Sequence, residues 1–158
     1  YGAFLEHYAG NIPGKSEPFP GVLQALDRLA GAGYALAICT NKTEALALKL
    51  IEGLRLRERF DAICGVDTFL HCKPDPRHLT ETIGMAGGDP SHALMIGDSR
   101  TDIDTAKAAG IPVVAVDFGY TDQHVSVFEP SVVISHYDEL TIEMADRLIR
   151  AGNASRRP

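Results

Sequence analysis

The sequence predicts an α/β protein in which helices cover both faces of a parallel sheet, a three-layer doubly wound fold. Three observations carry this prediction. Short apolar runs alternate with segments of helical length along most of the chain. The runs are continuously apolar, as is typical of strands that are buried on both faces. Strands that alternate with helices of about 10–15 residues form right-handed βαβ units, which give a parallel sheet.

The first half of the predicted core opens with a helix. Pro20 suits the first turn of a helix that runs to about Ala30, and Gly31 ends this helix. Asn41 and Glu44 have the spacing of a capping box at the start of a second helix. The predicted elements that follow the first helix are a strand at residues 34–40, a helix that ends near residue 53 and a strand at residues 60–66.

The second half begins at a proline-rich junction, K-P-D-P at residues 73–76. Proline disfavours helical backbone in the residue before it, so Lys73 is expected to be extended. Asp75 can cap the helix that Pro76 begins, and this helix ends near residues 84–88. The remaining predicted elements are strands at 92–96, 111–116 and 131–135, and helices at 100–109 and 137–150.

Composition and charge limit the classes of function. The chain has 158 residues, of which 45% are hydrophobic and 23% are charged, as in an ordinary globular domain. Its net charge is −6, and no basic run occurs outside the last few residues, so neither nucleic acid nor a membrane is expected as a partner. The three cysteines lack CxxC spacing, which indicates reduced thiols and a cytoplasmic location.

Three side chains that suit phosphate chemistry each follow a predicted strand: Thr40, Lys73 and Asp98. Parallel strands end at one edge of a sheet, and ligands bind at that edge. A hydroxyl, an ammonium and a carboxylate for a divalent cation would meet there. Asp102 adds a second carboxylate in the next helical turn. However, Ser99 and Asp102 also have the spacing of a capping box, so Asp102 could serve only the helix terminus.

Each of these residues also has a purely structural interpretation. Thr40 could be a residue at a helix entrance, Lys73 a solvated loop lysine, and Asp98 a turn residue at the end of a strand. All three interpretations would have to hold at once, and in order along the chain, for the predicted site to be absent. We therefore favour the functional interpretation.

The motifs resemble those of a known family. T-N-K at residues 40–42, K-P-D-P at 73–76 and G-D-S-R-T-D at 97–102 are similar to the second, third and fourth motifs of the haloacid dehalogenase-like (HAD) phosphatases. The resemblance covers residues 20–150. P-F-P-G-V at residues 18–22 and the F-G-Y segment at residues 118–120 resemble the phosphoglycolate phosphatase branch of that family.

The resemblance implies a HAD-like Rossmannoid core and a magnesium-dependent phosphoric monoester hydrolase. Its small phosphorylated substrate would be 2-phosphoglycolate, which yields glycolate and phosphate, with sugar phosphates and other small phosphate esters as alternatives. It implies that Thr40 and Asn41 bind the phosphoryl oxygens and that Lys73 steadies the phosphate and the nucleophile. It further implies that Asp98 ligates Mg²⁺, while Ser99 and Asp102 support the metal site. Asp102 could instead pair with Lys73.

One motif of the family is absent from the sequence. The family's first strand ends in D-x-D-G-T, whose first aspartate is the nucleophile and whose second is the general acid and base. Asp67, Asp102 and Asp117 partly imitate this motif, but each lacks the preceding apolar strand or the second aspartate. We assign the nucleophile to none of them.

This absence leads to the following expectations. The opening strand and most of the helical cap are missing, residues 1–15 are a remnant of the cap and a linker, residues 16–150 form an incomplete core, and residues 151–158 are a disordered tail. The chain alone is expected to be inactive. The opening strand is central in the family's sheet, between the strands that precede Thr40 and Asp98. Its loss would leave sheet edges that favour self-association.

Three classes of protein other than a hydrolase share parts of this pattern. A phosphate-binding or regulatory module without catalysis agrees with the missing nucleophile. A receiver-type signalling domain also uses an acid, a hydroxyl and a lysine, but its phosphorylated aspartate precedes the other two in the chain. A dinucleotide-binding domain is disfavoured because no G-x-G-x-x-G follows a strand.

Overall fold

The computed structural model of the chain describes residues 19–119 and 121–158. The predicted alternation of strands and helices is confirmed within these ranges. The α-helices are α1 (Val22–Gly31), α2 (Glu44–Gly53), α3 (Pro76–Met85), α4 (Arg100–Ala109) and α5 (Ile142–Ala154). The β-strands are β1 (Ala37–Cys39), β2 (Ala62–Cys64), β3 (Met95–Gly97), β4 (Val113–Val116) and β5 (Val132–Ile134). Short 3₁₀ helices occur at Arg57–Arg59, Pro90–His92, Val125–Phe128 and Tyr137–Glu139. The predicted cap remnant at residues 1–15, and Tyr120, lie outside the described residues.

All strand pairs in the described ranges are parallel. β1 pairs with β2, and β3, β4 and β5 form a second sheet in that order. Among the described residues β1 and β3 are not hydrogen-bonded to each other as strands, so the sheet is divided between them. A cavity of about 150 Å³ lies at this division, with Ala37 and Cys39 on one side and Leu94 and Ile96 on the other. The resemblance places the family's opening strand at this same position.

Helices cover both faces of the sheets, as the three-layer prediction requires. Successive side chains of a strand point to opposite faces, and the two buried clusters follow this alternation. One cluster joins α1, α2 and α5 to strand residues that include Ile38, Ile96 and Ile134. The other joins α3 and α4 to Cys39, Met95 and Val113. The core is therefore continuous apolar packing on either side of a parallel sheet.

The helix starts depend on side-chain caps. Asp75 caps α3 through the N–H of Arg77, and Pro76 occupies the first turn, as predicted. Thr43, and not Asn41, caps α2 by accepting from the N–H of Leu46. Ser99 caps α4 and so fixes where that helix leaves β3. These three caps hold the segments that follow β1, β2 and β3 in defined directions.

The end of the chain differs from the prediction. The predicted helix at residues 137–150 is divided, because the Thr141 hydroxyl accepts from the N–H of Met144 and starts a new helix, α5. This helix continues to Ala154, beyond the predicted end. Arg156 then donates to the carbonyl of Ala109 at 3.3 Å and to that of Gly110. The sequence predicts a disordered tail at residues 151–158, whereas in the structure α5 continues to Ala154 and Arg156 is hydrogen-bonded.

No helix in the described ranges combines the length and the apolar character needed to cross a bilayer.

Candidate active site

Thr40 lies immediately after β1 and is fully buried. Its N–H donates to the carbonyl of Cys64 at 3.0 Å, which continues the pairing of β1 with β2. Its Oγ1 accepts from the N–H of Lys42 at 3.2 Å, which leaves the hydroxyl hydrogen to donate to another group. At Gly65, which follows β2, an added Cβ would lie 2.6 Å from the carbonyl carbon of Thr43. Only glycine permits this close approach of the β2 end to the loop that carries Thr40.

Lys73 is held through its backbone. The side-chain amide of Asn41 donates to the carbonyl of Lys73 at 2.8 Å, and its oxygen accepts from the N–H of Lys73 at 3.0 Å. The same N–H lies 3.2 Å from Nδ1 of His78, and the bond from Lys73 to Pro74 is cis. The amide of Asn41 thus orients the lysine segment, while its predicted contact with phosphate stays a prediction.

The Lys73 side chain forms a buried ion pair. Its Nζ atom lies 2.6 Å from Oδ1 of Asp102, and both side chains are fully buried. Burial would raise the pKa of Asp102, but the charge and hydrogen bond of Lys73, together with the hydrogen bond from the Asp98 N–H, contribute to a net lowering of that pKa. Lys73 is therefore not a solvated loop lysine, and that alternative interpretation is wrong. Asp102 does pair with Lys73, one of the two interactions that the resemblance implied for it.

The second oxygen of Asp102 connects the ion pair to Asp98. Oδ2 of Asp102 accepts from the N–H of Asp98 and from the Ser99 hydroxyl, each at 3.1 Å. Ser99 Oγ in turn accepts from the N–H of Asp102 at 3.2 Å. An added Cβ at Gly97 would lie 2.7 Å from Cγ of Asp102, so the end of β3 must be glycine here. Ser99 therefore caps α4 as predicted, and the same contacts connect Asp102 to the backbone of Asp98.

Asp98 lies at the carboxyl end of β3 and is 6% exposed. Gly119 packs against it so closely that an added Cβ would lie 2.6 Å from Cγ of Asp98. Protein Mg²⁺ sites often use only one or two carboxylates, with water and substrate phosphate as the other ligands. The carboxylate of Asp98 is suited to be one of these Mg²⁺ ligands. Within the described residues no group of three or more His, Cys, Asp or Glu side chains could hold a metal by itself.

Hydrogen bonds and the ion pair thus connect the segments that follow β1, β2 and β3. Asn41 binds the backbone of Lys73, Lys73 binds Asp102, and Asp102 binds the backbone of Asp98. The predicted convergence at one sheet edge is therefore present. The connected segments carry the hydroxyl of Thr40, the ammonium of Lys73 and the carboxylate of Asp98, a set of groups that suits a phosphate accompanied by a cation.

The aspartates that imitate the missing motif have other partners. Asp67 accepts from the N–H of Glu44 at 2.8 Å, and Asp117 accepts from the Ser135 hydroxyl. Asp102 is the buried partner of Lys73, and Asp104, the second aspartate of that segment, pairs with Arg100 on the exposed face of α4. All three imitating aspartates are therefore engaged in other contacts.

Sequence reasoning did not single out His78. The side chain is fully buried, and its ring packs edge-on against Phe69 at a centroid distance of 6.0 Å. The available signal was its place in the first turn of α3. There it faces back toward Lys73, and it lies one helical turn before the buried Thr82.

Comparisons with known proteins agree with the fold and the motifs. Residues 2–116 match the haloacid dehalogenase-like hydrolase family. The chain is 70% identical over 148 residues to a phosphoglycolate phosphatase of Mesorhizobium japonicum, covering 94% of this chain and 65% of the relative. It is 46% identical to one of Agrobacterium fabrum, covering 98% of this chain and 66% of the relative. The chain thus spans about two thirds of the length of these relatives.

A solved structure shows the same likeness. The crystal structure of a predicted phosphoglycolate phosphatase from Haemophilus somnus is 27% identical, with a TM-score of 0.77. The match covers 84% of this chain and 60% of that one. The matched residues, 2–116, include β1 to β4. They also include Asn41, Lys73, Asp98 and Asp102. The chain therefore belongs to the haloacid dehalogenase-like hydrolase family.

Proposed function

We propose that this chain carries the phosphate-binding half of a magnesium-dependent phosphomonoester hydrolase that acts on 2-phosphoglycolate. The observation that carries the proposal is the buried connection from Asn41 through Lys73 and Asp102 to Asp98. Burying an ammonium is costly even when it is paired, so its place at the ligand-binding edge of the sheet favours a role with an anion. The names of the relatives support phosphoglycolate as that anion.

Each side chain has a distinct role in the proposed site. The Thr40 hydroxyl donates its remaining hydrogen to a phosphoryl oxygen. Lys73 supplies positive charge to the phosphate, and Asp102 keeps Lys73 charged and directed toward the sheet edge. Asn41 binds the backbone of Lys73, and Ser99 binds both the backbone N–H and the carboxylate of Asp102. Because these groups are fixed before the substrate arrives, they stabilise developing charge without reorganisation.

Asp98 is the proposed ligand of Mg²⁺, and Asp102 and Ser99 are its supports. When bound, the ion would offset the charge that builds up on the phosphoryl group. Gly119 leaves room for the Asp98 carboxylate, because an added Cβ there would lie 2.6 Å from Cγ of Asp98.

The aspartate nucleophile has no counterpart among the 158 residues, because the sequence contains no D-x-D-G-T. This favours a second candidate function for the chain as given, a phosphate-binding module without turnover. The predicted inactivity of the chain alone follows from the same absence.

One experiment separates the two functions. The chain is prepared alone and with an N-terminal extension that contains an apolar strand ending in D-x-D-G-T. Phosphate release from 2-phosphoglycolate is then measured with Mg²⁺ and with excess chelator. We expect release only from the extended chain and only with Mg²⁺, and we expect Lys73→Met to abolish this release.

The controls decide between the outcomes. An extension whose first aspartate is changed to asparagine tests whether the added nucleophile is responsible for release. If the extended chain is folded and binds phosphate but releases none from any phosphomonoester, the binding module is the better description. If the chain alone turns over at the rate of the extended chain, the predicted inactivity is wrong.

A further inference from the structure

His78 is a fully buried histidine whose ring contacts the segment that bears Lys73. Its Nδ1 lies 3.2 Å from the backbone nitrogen of Lys73. Asp75 caps α3 and Pro76 starts it, so residue 78 is fixed in the first turn of that helix. Phe69 packs edge-on against the ring, and the Thr82 hydroxyl donates to the His78 carbonyl at 2.7 Å. The ring therefore has a defined orientation toward Lys73.

The direction of this hydrogen bond identifies the form of the ring. A backbone N–H can only donate, so Nδ1 must accept, and the proton of the neutral ring lies on Nε2. Burial, together with the nearby charge of Lys73, lowers the pKa of His78 and favours this neutral form. The environment of the ring thus agrees with its role as an acceptor.

The other ring nitrogen gives the argument for a role beyond packing. Within the described residues, Nε2 is buried and makes no hydrogen bond of ordinary geometry, although the backbone of Gly65 interacts with the ring and favours its protonated form. A buried donor that is poorly satisfied destabilises the fold, and an apolar side chain of similar size would avoid that cost. The feature that only the histidine provides is the acceptor at Nδ1, which is directed at Lys73.

We infer that His78 is a positioning residue for Lys73: its Nδ1 accepts from the Lys73 N–H and, with Asn41, fixes the backbone from which the ammonium reaches Asp102 and the phosphate. This inference rests on the proposed function, because it gives His78 a part in the same phosphate site. Asn41 holds the segment from the β1 side, while His78 holds it from α3. The single N–H of Lys73 is shared between two acceptors, Oδ1 of Asn41 at 3.0 Å and Nδ1 of His78 at 3.2 Å.

Substitutions at residue 78 separate the acceptor from the volume of the ring. His78→Asn places an amide atom near the position of Nδ1 and retains an acceptor there. His78→Gln moves the acceptor toward Nε2, and His78→Leu removes it. Leu79→Ala is the matched control, because Leu79 is a buried residue of the same helix without a polar contact to Lys73. It should destabilise α3 and leave Lys73 in place.

Two readouts on the ¹⁵N-labelled chain test the inference. The first is hydrogen exchange of the Lys73 amide, and the second is binding of inorganic phosphate with Mg²⁺. Losing one hydrogen bond should raise the exchange rate and weaken phosphate binding by about five- to tenfold in His78→Leu and His78→Gln. His78→Asn should stay within about twofold of the wild type, and so should Leu79→Ala.

The outcomes are distinct. Unchanged exchange in His78→Leu would overturn the inference, as would an equal effect in Leu79→Ala. Exchange that rises while phosphate affinity stays the same would also overturn it, since His78 would then hold the backbone without serving the site. If the wild type binds no phosphate, the proposed function fails, and with it the role of His78 at the phosphate site. In that case Lys73 amide exchange still decides whether His78 holds the backbone.

Discussion

The ammonium nitrogen of Lys73 lies 2.6 Å from Oδ1 of Asp102, and neither side chain is exposed to solvent. Each charge is tolerated in the interior only because the other is present, so removing one partner leaves an uncompensated buried charge. We expect Asp102→Leu and Lys73→Met each to lower the free energy of unfolding by about 3–5 kcal/mol. Urea denaturation measures this loss.

The double variant Lys73→Met with Asp102→Leu provides the internal check. It leaves no buried charge, so it should recover much of the stability that either single change loses. Asp104→Asn is the matched control, because it breaks an exposed ion pair on the same helix and should change stability little. Additive losses in the double variant would contradict a coupled buried pair.

The Thr43 cap fixes the helix that follows the Thr40 loop. Its hydroxyl accepts from the N–H of Leu46 at 3.3 Å. Thr43→Ala should therefore destabilise the protein by about 1 kcal/mol, while Thr43→Ser should retain most of the stability. Thermal denaturation of the two variants checks this. Equal loss in both would show that the methyl group, and not the hydroxyl, matters.

Gly119 sets the space that is available to Asp98. Because an added Cβ would lie 2.6 Å from Cγ of Asp98, Gly119→Ala should displace the carboxylate. We expect Mg²⁺ affinity to fall by about 10- to 100-fold, the usual effect of disturbing a group that orients a ligand. Calorimetric titration with Mg²⁺ measures the affinity.

The control for this change is Gly84→Ala in α3. An added Cβ there meets no atom within 4 Å, so it should leave Mg²⁺ binding unchanged and raise stability by about 0.5–1 kcal/mol. Equal Mg²⁺ affinities of Gly119→Ala and the wild type would show that the position of Asp98 does not depend on this glycine.

Local patterns predicted most of the fold because local interactions determine it. The cap at Asp75 and the helix start at Pro76 follow from the chemistry of adjacent residues. The division of the last helix was not predicted, because the apolar pattern continues across Thr141. Tyr137 and Leu140, which precede the Thr141 cap, are buried in the core, and this tertiary contact is not visible in the local pattern.

The site was predictable to the extent that it obeys the rule for strand ends. Thr40, Lys73 and Asp98 are candidates from sequence because parallel strands bring their carboxyl ends to one edge. The partner of Asn41 and the burial of His78 were not found, because each depends on segments that meet only after folding. Asn41 reaches a backbone 32 residues away, and His78 is enclosed by Phe69 from the preceding loop.

The burial of His78 makes stability depend on pH in a defined window. Burial and the charge of Lys73 lower the pKa of His78 below its ordinary value of 6.5. Between the two pKa values the unfolded chain binds a proton at His78 that the folded chain does not. The free energy of unfolding should therefore fall as the pH drops below about 6.5, by at most about 1.4 kcal/mol per pH unit, and should be level above it.

The measurement compares the wild type with His78→Asn by urea denaturation between pH 8 and pH 5. Lys73, Asp75 and Glu81 also influence His78, and all three are unchanged in the variant, as are the other five histidines. The difference between the two proteins therefore isolates residue 78. The wild type should lose stability relative to the variant only on the acidic side of pH 6.5. Parallel pH profiles would mean that His78 has the same pKa in the folded and unfolded chains. The assignment of a neutral, buried ring would then be wrong.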